Sequence, residues 1–98
     1  MTICTSKNEN EYLIATEGRL DTLTAPEMEQ TVKNLPEGVT KLTFDLEKLE
    51  YISSAGLRVL LYAQKVMNRL GEMKVIHVNE TVSEIFEVTG FSDILTVE

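Results

Sequence analysis

Apolar and polar positions along the chain form short blocks that change period several times. Alternating or continuous apolar runs of a few residues predict strands, whereas apolar positions three and four apart predict helices. A first strand is predicted around Cys4, a small hydrophobe there, before a polar turn at residues 7–11. Four further strands are predicted at residues 12–16, 41–46, 73–78 and 94–97.

Three segments between these strands have helical periodicity and capping residues at their ends. The first begins with a capping box at Thr24–Glu27. The second is the long periodic stretch 57–70, which ends before Gly71. The third begins with a second capping box at Thr81–Glu84 and ends at Gly90. The chain therefore alternates strands and helices from its second strand onward.

This order predicts an α/β fold with a mostly parallel sheet flanked by helices. Connections that contain a helix join parallel neighbours with right-handed crossovers, whereas a short polar turn joins antiparallel strands. The first strand is therefore expected to be antiparallel to the second, which makes the sheet mixed. The chain has no repeat, low-complexity tract or linker, so residues 1–98 are predicted to form one domain.

Composition and charge exclude several classes of protein. The chain has 98 residues, of which 43% are hydrophobic, which suits a globular domain. Sixteen acidic and nine basic residues give a net charge of −7, which argues against direct nucleic-acid binding. No apolar run approaches the ~20 residues that span a bilayer, and no signal sequence is visible. We therefore expect a cytoplasmic protein without membrane insertion, which the single cysteine also favours.

The strongest local signal is the segment Asp45–Arg58, which leads from a strand through a loop into a helix N-terminus. Ligand and switch sites of parallel sheets cluster at such strand ends. Ser53 and Ser54 place hydroxyls beside the free N–H groups of the first helical turn. Gly56 costs about 1 kcal/mol relative to Ala there, so something is expected to approach the backbone closely. Serine is also a preferred N-cap, and this purely structural interpretation stays open.

The residues expected of an enzyme or a metal site are not found together in the sequence. The single histidine, His77, falls on a predicted strand, and no Gly-x-Ser-x-Gly elbow supports a nucleophilic serine. No glycine-rich phosphate loop is present. One Cys and one His have no clustered partners that would bind a metal. Asp45 is expected to accept a hydrogen bond from a backbone N–H of the loop that follows.

The helix after the two serines has a basic side. Residues 51–71 contain no Asp or Glu, whereas four polar or basic side chains fall on one helix face: Arg58, Tyr62, Lys65 and Arg69. The opposite, buried face is predicted to carry Leu60, Ala63, Met67 and Leu70. The basic side is either an ordinary solvated face or one contact surface together with the Ser54 end.

Three segments in this order give the chain a resemblance to a known family: Glu17–Asp21, Phe44–Leu46 and Tyr51–Leu57. Over its whole length the chain resembles a STAS domain of the bacterial anti-sigma factor antagonist type. The resemblance implies a non-enzymatic signalling protein that regulates transcription. When unphosphorylated, such a protein binds an anti-sigma factor and thereby frees the sigma factor.

The resemblance also implies a phosphorylation site at Ser54, two residues before Gly56, with Ser53 as the alternative acceptor. The anti-sigma factor is itself the serine kinase, and a serine phosphatase restores binding. Asp21 is expected near the Ser54 loop. The surface that faces the partner is expected to include Asp21, Thr22, Ser53, Ser54, Gly56, Arg58, Tyr62 and Lys65.

No cofactor is implied, because the nucleotide belongs to the kinase, and the free protein is expected to be a monomer. Two alternatives stay open. One is a STAS subunit of another assembly, such as a lipid-transport complex or a stressosome-like scaffold. The other is a small enzyme or nucleotide binder that uses the Ser54 helix terminus as an anion site.

Overall fold

The computed structural model describes all residues from Met1 to Glu98. It contains a four-stranded sheet with the strands in the order of the chain. The elements are β1 (Thr2–Asn8), β2 (Glu11–Leu20), α1 (Ala25–Lys33), β3 (Lys41–Ile52), α2 (Ser54–Leu70), β4 (Glu72–Ile76), α3 (Glu80–Thr89) and a 3₁₀ turn (Phe91–Asp93). The first strand is antiparallel to β2, whereas β2, β3 and β4 are parallel. The predicted α/β architecture is confirmed.

The two faces of the sheet differ in burial. On β3, Leu42, Phe44 and Leu46 are buried in the core, whereas Asp45 and the other side chains between them are more exposed. Alternation of this kind is typical of a sheet covered by helices on one face. Cys4 lies on the first strand, as predicted, but this edge strand leaves it exposed, so it does not contribute to the core as a small hydrophobe.

Strands β2 and β3 extend further than the sequence predicts. The segment after Leu46 was expected to be a loop, but β3 continues to Ile52, and β2 continues to Leu20. Two register shifts along the β2–β3 pairing place two extra residues in β3. These bulges let Leu46, Leu49 and Ile52 all face the core, although they are spaced by three.

The helix caps differ from the prediction in three places, one of which is Gly71 at the end of α2, whose backbone is not left-handed. The Thr24 hydroxyl makes no cap hydrogen bond, because it donates to the carbonyl oxygen of Arg19 (2.8 Å) instead. Helix α3 is capped by Asn79, outside the predicted Thr81–Glu84 box. The Asn79 carboxamide oxygen accepts the Val82 N–H (2.8 Å), and its NH₂ donates to the Leu49 carbonyl (2.6 Å). Gly90 ends α3 in the left-handed conformation, as predicted.

The C-terminal segment does not form the predicted strand at 94–97. Val97 makes a single parallel bridge with Val75 of β4. Only Leu95 of this segment is buried, and the pairing with β4 is limited to the backbone hydrogen bonds that join Val75 to Thr96 and Glu98. Leu70 is also more exposed than predicted, at 48%, since it is the last residue of α2. No helix is both long enough and apolar enough to cross a membrane.

Candidate functional site

The carboxyl ends of β2 and β3 lie side by side and position the candidate site. Leu20 and Ile52 are paired at the last position of the two strands, and the Ser53 N–H donates to the Leu20 carbonyl (2.9 Å). The loop that begins with Asp21 therefore lies beside the start of α2. The expectation that Asp21 and the two serines share one edge of the sheet is confirmed.

The two serines have different structural roles. Ser53 is the N-cap of α2: its hydroxyl oxygen accepts the Gly56 N–H (3.4 Å) and its carbonyl accepts the Leu57 N–H (2.9 Å). Ser54 is the first residue of the helix, and its exposed side chain makes no hydrogen bond within the protein. The capping interpretation therefore applies to Ser53, whereas the hydroxyl of Ser54 is free.

The N-terminus of α2 is suited to an anion. The first N–H groups of a helix have no intrahelical acceptor, and only those of Gly56 and Leu57 are bonded to Ser53. The first turn contains no acidic residue. Arg58 is exposed and lies one turn after Ser54, so its guanidinium can reach a charge on that hydroxyl. A negative group at Ser54 is therefore favoured by the helix dipole and by a nearby cation.

Gly56 lies behind this surface, in the packed region. It is buried, and an added Cβ would lie 2.7 Å from the Ile52 side chain and 2.8 Å from that of Leu20. The close approach that the sequence predicts is therefore made by the protein's own strand ends. Gly56 determines how near α2 lies to these ends, and it presents no side chain to a partner.

We expect Gly56→Ala to lower the free energy of unfolding by about 2 kcal/mol, because the new methyl group overpacks this contact. Urea unfolding measures the loss, and Ser54→Ala is the control in the same turn, expected to stay within about 0.5 kcal/mol of wild type. A gain of stability in Gly56→Ala, from the better helix propensity of alanine, would contradict the packing argument.

The Asp21 loop is held by its own hydrogen bonds. The Asp21 carboxylate accepts the N–H groups of Leu23 (3.0 Å) and Thr24 (3.2 Å), and its Oδ2 lies 3.9 Å from Nε of Arg19. Desolvation raises the pKa of the Asp21 carboxyl, but these hydrogen bonds and the Arg19 charge outweigh it, so the pKa lies below its ordinary value of 3.8. The ionised carboxylate therefore stabilises the loop above that value, and the contribution is lost as the pH falls through the lowered pKa.

Three residues beside the site, Arg19, Tyr51 and Leu23, were not predicted from the sequence to belong to it. The Arg19 guanidinium lies 4.5 Å from the centre of the Tyr51 ring, which joins the two strand ends by a cation–π contact. Leu23 is 89% exposed, on the loop that follows β2. A leucine between two threonines in a polar loop was the available signal, since exposed apolar side chains at loop tips are candidate contact residues.

The basic side of α2 is unpaired. Arg58, Lys65 and Arg69 are exposed, and none of them lies within 4.0 Å of a carboxylate. Tyr62 is half-buried and lines a hollow between α1 and α2 together with Thr22 and Arg58. Thr22, Ser54, Arg58, Tyr62 and Lys65 thus belong to one side of the molecule, at the start and along the length of α2.

His77 lies away from this site and not on a strand. It follows the end of β4 with a left-handed φ of 58°, and its Nδ1 lies 3.0 Å from Asp45 Oδ1. Glu47 completes a group whose ligand atoms lie within 4.8 Å of one another, so the expectation that His77 has no clustered partners is wrong. The backbone N–H of Glu47 donates to Asp45 (3.1 Å), which confirms the expected backbone bond.

The chain belongs to the STAS domain family, whose sequence profile matches residues 3–98. BtrV of Bordetella bronchiseptica, a protein named as an anti-sigma factor antagonist, is 30% identical over 99% of this chain and 85% of its own length. The anti-sigma-B factor antagonist of Staphylococcus aureus is 27% identical over 99% of this chain and 92% of its length.

Solved structures show the same fold. An anti-sigma factor antagonist from Mycobacterium paratuberculosis has a TM-score of 0.88 at 20% identity, covering 98% of this chain and 83% of that one. The antagonist SpoIIAA matches in its unphosphorylated form with a TM-score of 0.78 and in its phosphorylated form with 0.77, both at 15% identity. These two matches cover 99% of this chain and 87% and 91% of the SpoIIAA chains.

Proposed function

We propose that this chain is an anti-sigma factor antagonist which binds an anti-sigma factor serine kinase and is released when Ser54 is phosphorylated. The observation that carries the proposal is the free, exposed hydroxyl of Ser54 at the N-terminus of α2. The names of the relatives from Bordetella bronchiseptica and Staphylococcus aureus support the regulatory role. In this role the protein is a cytoplasmic substrate and ligand of the kinase, and itself catalyses no reaction.

The geometry favours Ser54 over Ser53 as the phosphate acceptor. A kinase transfers phosphate to a hydroxyl that it can reach and orient. The Ser53 oxygen is half-buried and already accepts the Gly56 N–H, so its phosphorylation would remove the cap of α2. Loss of a serine cap costs roughly 1 kcal/mol. Phosphorylation of Ser54 breaks no hydrogen bond of the protein.

The phosphate would switch binding through the surface and not through the fold. It adds about −1.5 to −2 charges at pH 7, at a helix end where the dipole and free N–H groups favour anions. The same charge must be desolvated when a partner covers Ser54, which weakens the complex. The match of both forms of SpoIIAA to this fold supports a switch without refolding in that protein. A serine phosphatase would then restore the binding surface.

Phosphosite mapping tests the proposal. We expect incubation with the anti-sigma kinase of the same cell and ATP to place one phosphate on Ser54 of the wild-type chain, read by mass spectrometry. Ser54→Ala should abolish the modification, whereas Ser53→Ala should retain it. Undiminished phosphorylation of Ser54→Ala would overturn the site assignment. A stable chain that binds no anti-sigma factor and accepts no phosphate would instead favour the subunit of another STAS assembly.

A further inference from the structure

Two neighbouring hollows lie along α2 on the side of α1 and the loop that follows it, and together they form a groove that extends well beyond the Ser54 end. Its near half, of about 440 Å³, begins at Thr22 and Ala55. Its far half, of about 510 Å³, lies between the last turns of α2 and the loop that follows α1, and it includes Leu70. Tyr62 lines both hollows, so its side chain lies between them. The groove therefore follows α2 over most of its length.

The floor of the far half is apolar. It is formed by Val32 of α1, Leu35 and Val39 of the following loop, and Val66 of α2. Leu70 stands at its far end with 48% of its surface exposed. Val32 and Val39 belong to the buried core, so the apolar surface open to a partner is that of Leu35, Val66 and Leu70.

The rim of the groove on the α2 side is basic and unpaired. Arg58 lies at the near half and Arg69 at the far half, and neither contacts a carboxylate. On the α1 side, Glu29 is 3.9 Å from Lys33, so its charge is already balanced. Glu37 at the far end is the remaining carboxylate that lines the groove. In a chain with a net charge of −7, this rim is a local basic surface.

We propose that this groove receives an amphipathic helix with an acidic edge, supplied by the anti-sigma factor that also contacts Ser54. This inference rests on the proposed function and extends its contact surface from the phosphorylation site to Arg69 and Leu70. The apolar floor takes the hydrophobic side of the helix, and the basic rim takes its carboxylates. Helices that bind in grooves use this combination of apolar anchors and charged edges.

The dimensions of the groove suit a helix of the partner. The stretch from Ala55 to Leu70 spans about 22 Å, at a rise of about 1.5 Å per residue. That length accommodates about four helical turns, which is enough for apolar anchors at positions i, i+3/i+4 and i+7. The contact would thus have two parts: the Ser54 end, where phosphorylation changes the surface, and the far half, where it does not.

Binding measurements with variants of the far half test the proposal, using the purified full chain and the anti-sigma factor kinase. We expect Arg69→Glu to weaken binding roughly tenfold, because it places like charges together at the groove rim. Leu70→Ser is expected to weaken binding roughly fivefold, since it removes an apolar anchor. Both variants should accept phosphate on Ser54 at a saturating kinase concentration, because the acceptor hydroxyl is unchanged.

Matched controls separate the groove from general effects. Lys7→Glu makes the same charge change on the β1–β2 hairpin, and Val88→Ser removes an apolar side chain that is 84% exposed on α3. Both controls should bind like wild type. Wild-type affinity in both Arg69→Glu and Leu70→Ser would overturn the proposal that a partner helix binds in the groove, but would leave the Ser54 proposal intact. Self-association that Arg69→Glu abolishes would assign the groove to a second copy of this chain and would also overturn the proposal.

If the wild-type chain forms no complex with any anti-sigma kinase, the proposed function and the groove proposal both fail. The two failures are therefore distinguishable by the behaviour of the wild-type chain alone.

Discussion

Phosphorylation of Ser54 is expected to weaken binding to the anti-sigma factor at least roughly 100-fold, which corresponds to about 2.7 kcal/mol. On the proposed function the phosphate would lie within the contact surface, where its charge would lose water or face charged groups of the partner. In the free protein a phosphate on Ser54 would be stabilised by the helix N-terminus and by Arg58, so the modification would favour the free state over the complex. Titration calorimetry of the two forms against the kinase measures the difference.

The same modification is expected to leave the melting temperature of the free chain within about 2 °C, because helix dipoles stabilise anions at their N-termini. Circular dichroism of the phosphorylated and unmodified chains gives this value.

Ser6→Asp is the control for added charge. Ser6 is exposed on β1, at the opposite end of β2 from Leu20, so this variant should bind the partner like wild type. A phosphorylated chain that unfolds, or one that binds with unchanged affinity, contradicts the surface mechanism.

The order of strands and helices could be predicted because it depends on local periodicity. Each of the helices has an apolar side that contributes to the core, and Gly90 ends α3 as its sequence position indicates. The antiparallel hairpin of β1 and β2 also follows from its short polar turn. These features require information from only a few neighbouring residues, which a single sequence contains.

The length of β3 could not be predicted in the same way. After Asp45 the buried positions Leu46, Leu49 and Ile52 recur every third residue, which is not the period of a strand. The bulges that correct this spacing exist only because β3 pairs with β2, far away in the sequence. The contact of Asp45 with His77 has the same origin, since 32 residues separate the two side chains.

The different roles of the two serines were also beyond the sequence. Both serines are good capping residues, and which of the two caps α2 depends on the residue at which the helix begins. The start of α2 is held in place by the hydrogen bond from the Ser53 N–H to the Leu20 carbonyl, which is a tertiary contact. The identity of the candidate site was therefore predictable from the motif, whereas the choice between its hydroxyls required the fold.

Gly71 joins α2 directly to β4. Its N–H donates to the Met67 carbonyl (2.7 Å), and the N–H of Glu72 donates to the Thr40 carbonyl (2.9 Å). The backbone of Gly71 is extended and not left-handed, so the conventional explanation of a C-cap glycine does not apply. The requirement for glycine is space: a Cβ would lie 1.9 Å from the Thr40 carbonyl oxygen.

We expect Gly71→Ala to lower the free energy of unfolding by about 3 kcal/mol, although the residue is exposed, because backbone must move to admit the methyl group. In a domain of this size the loss corresponds to a melting temperature lower by roughly 12–24 °C. Gly38→Ala is the comparison, since Gly38 has a φ of +85° and no atom within 4 Å of the added Cβ. That variant should lose only about 1 kcal/mol, from the left-handed backbone alone. Thermal melts of both variants measure the two losses. If Gly71→Ala loses no more stability than Gly38→Ala, the argument that backbone must move to admit the methyl group is contradicted.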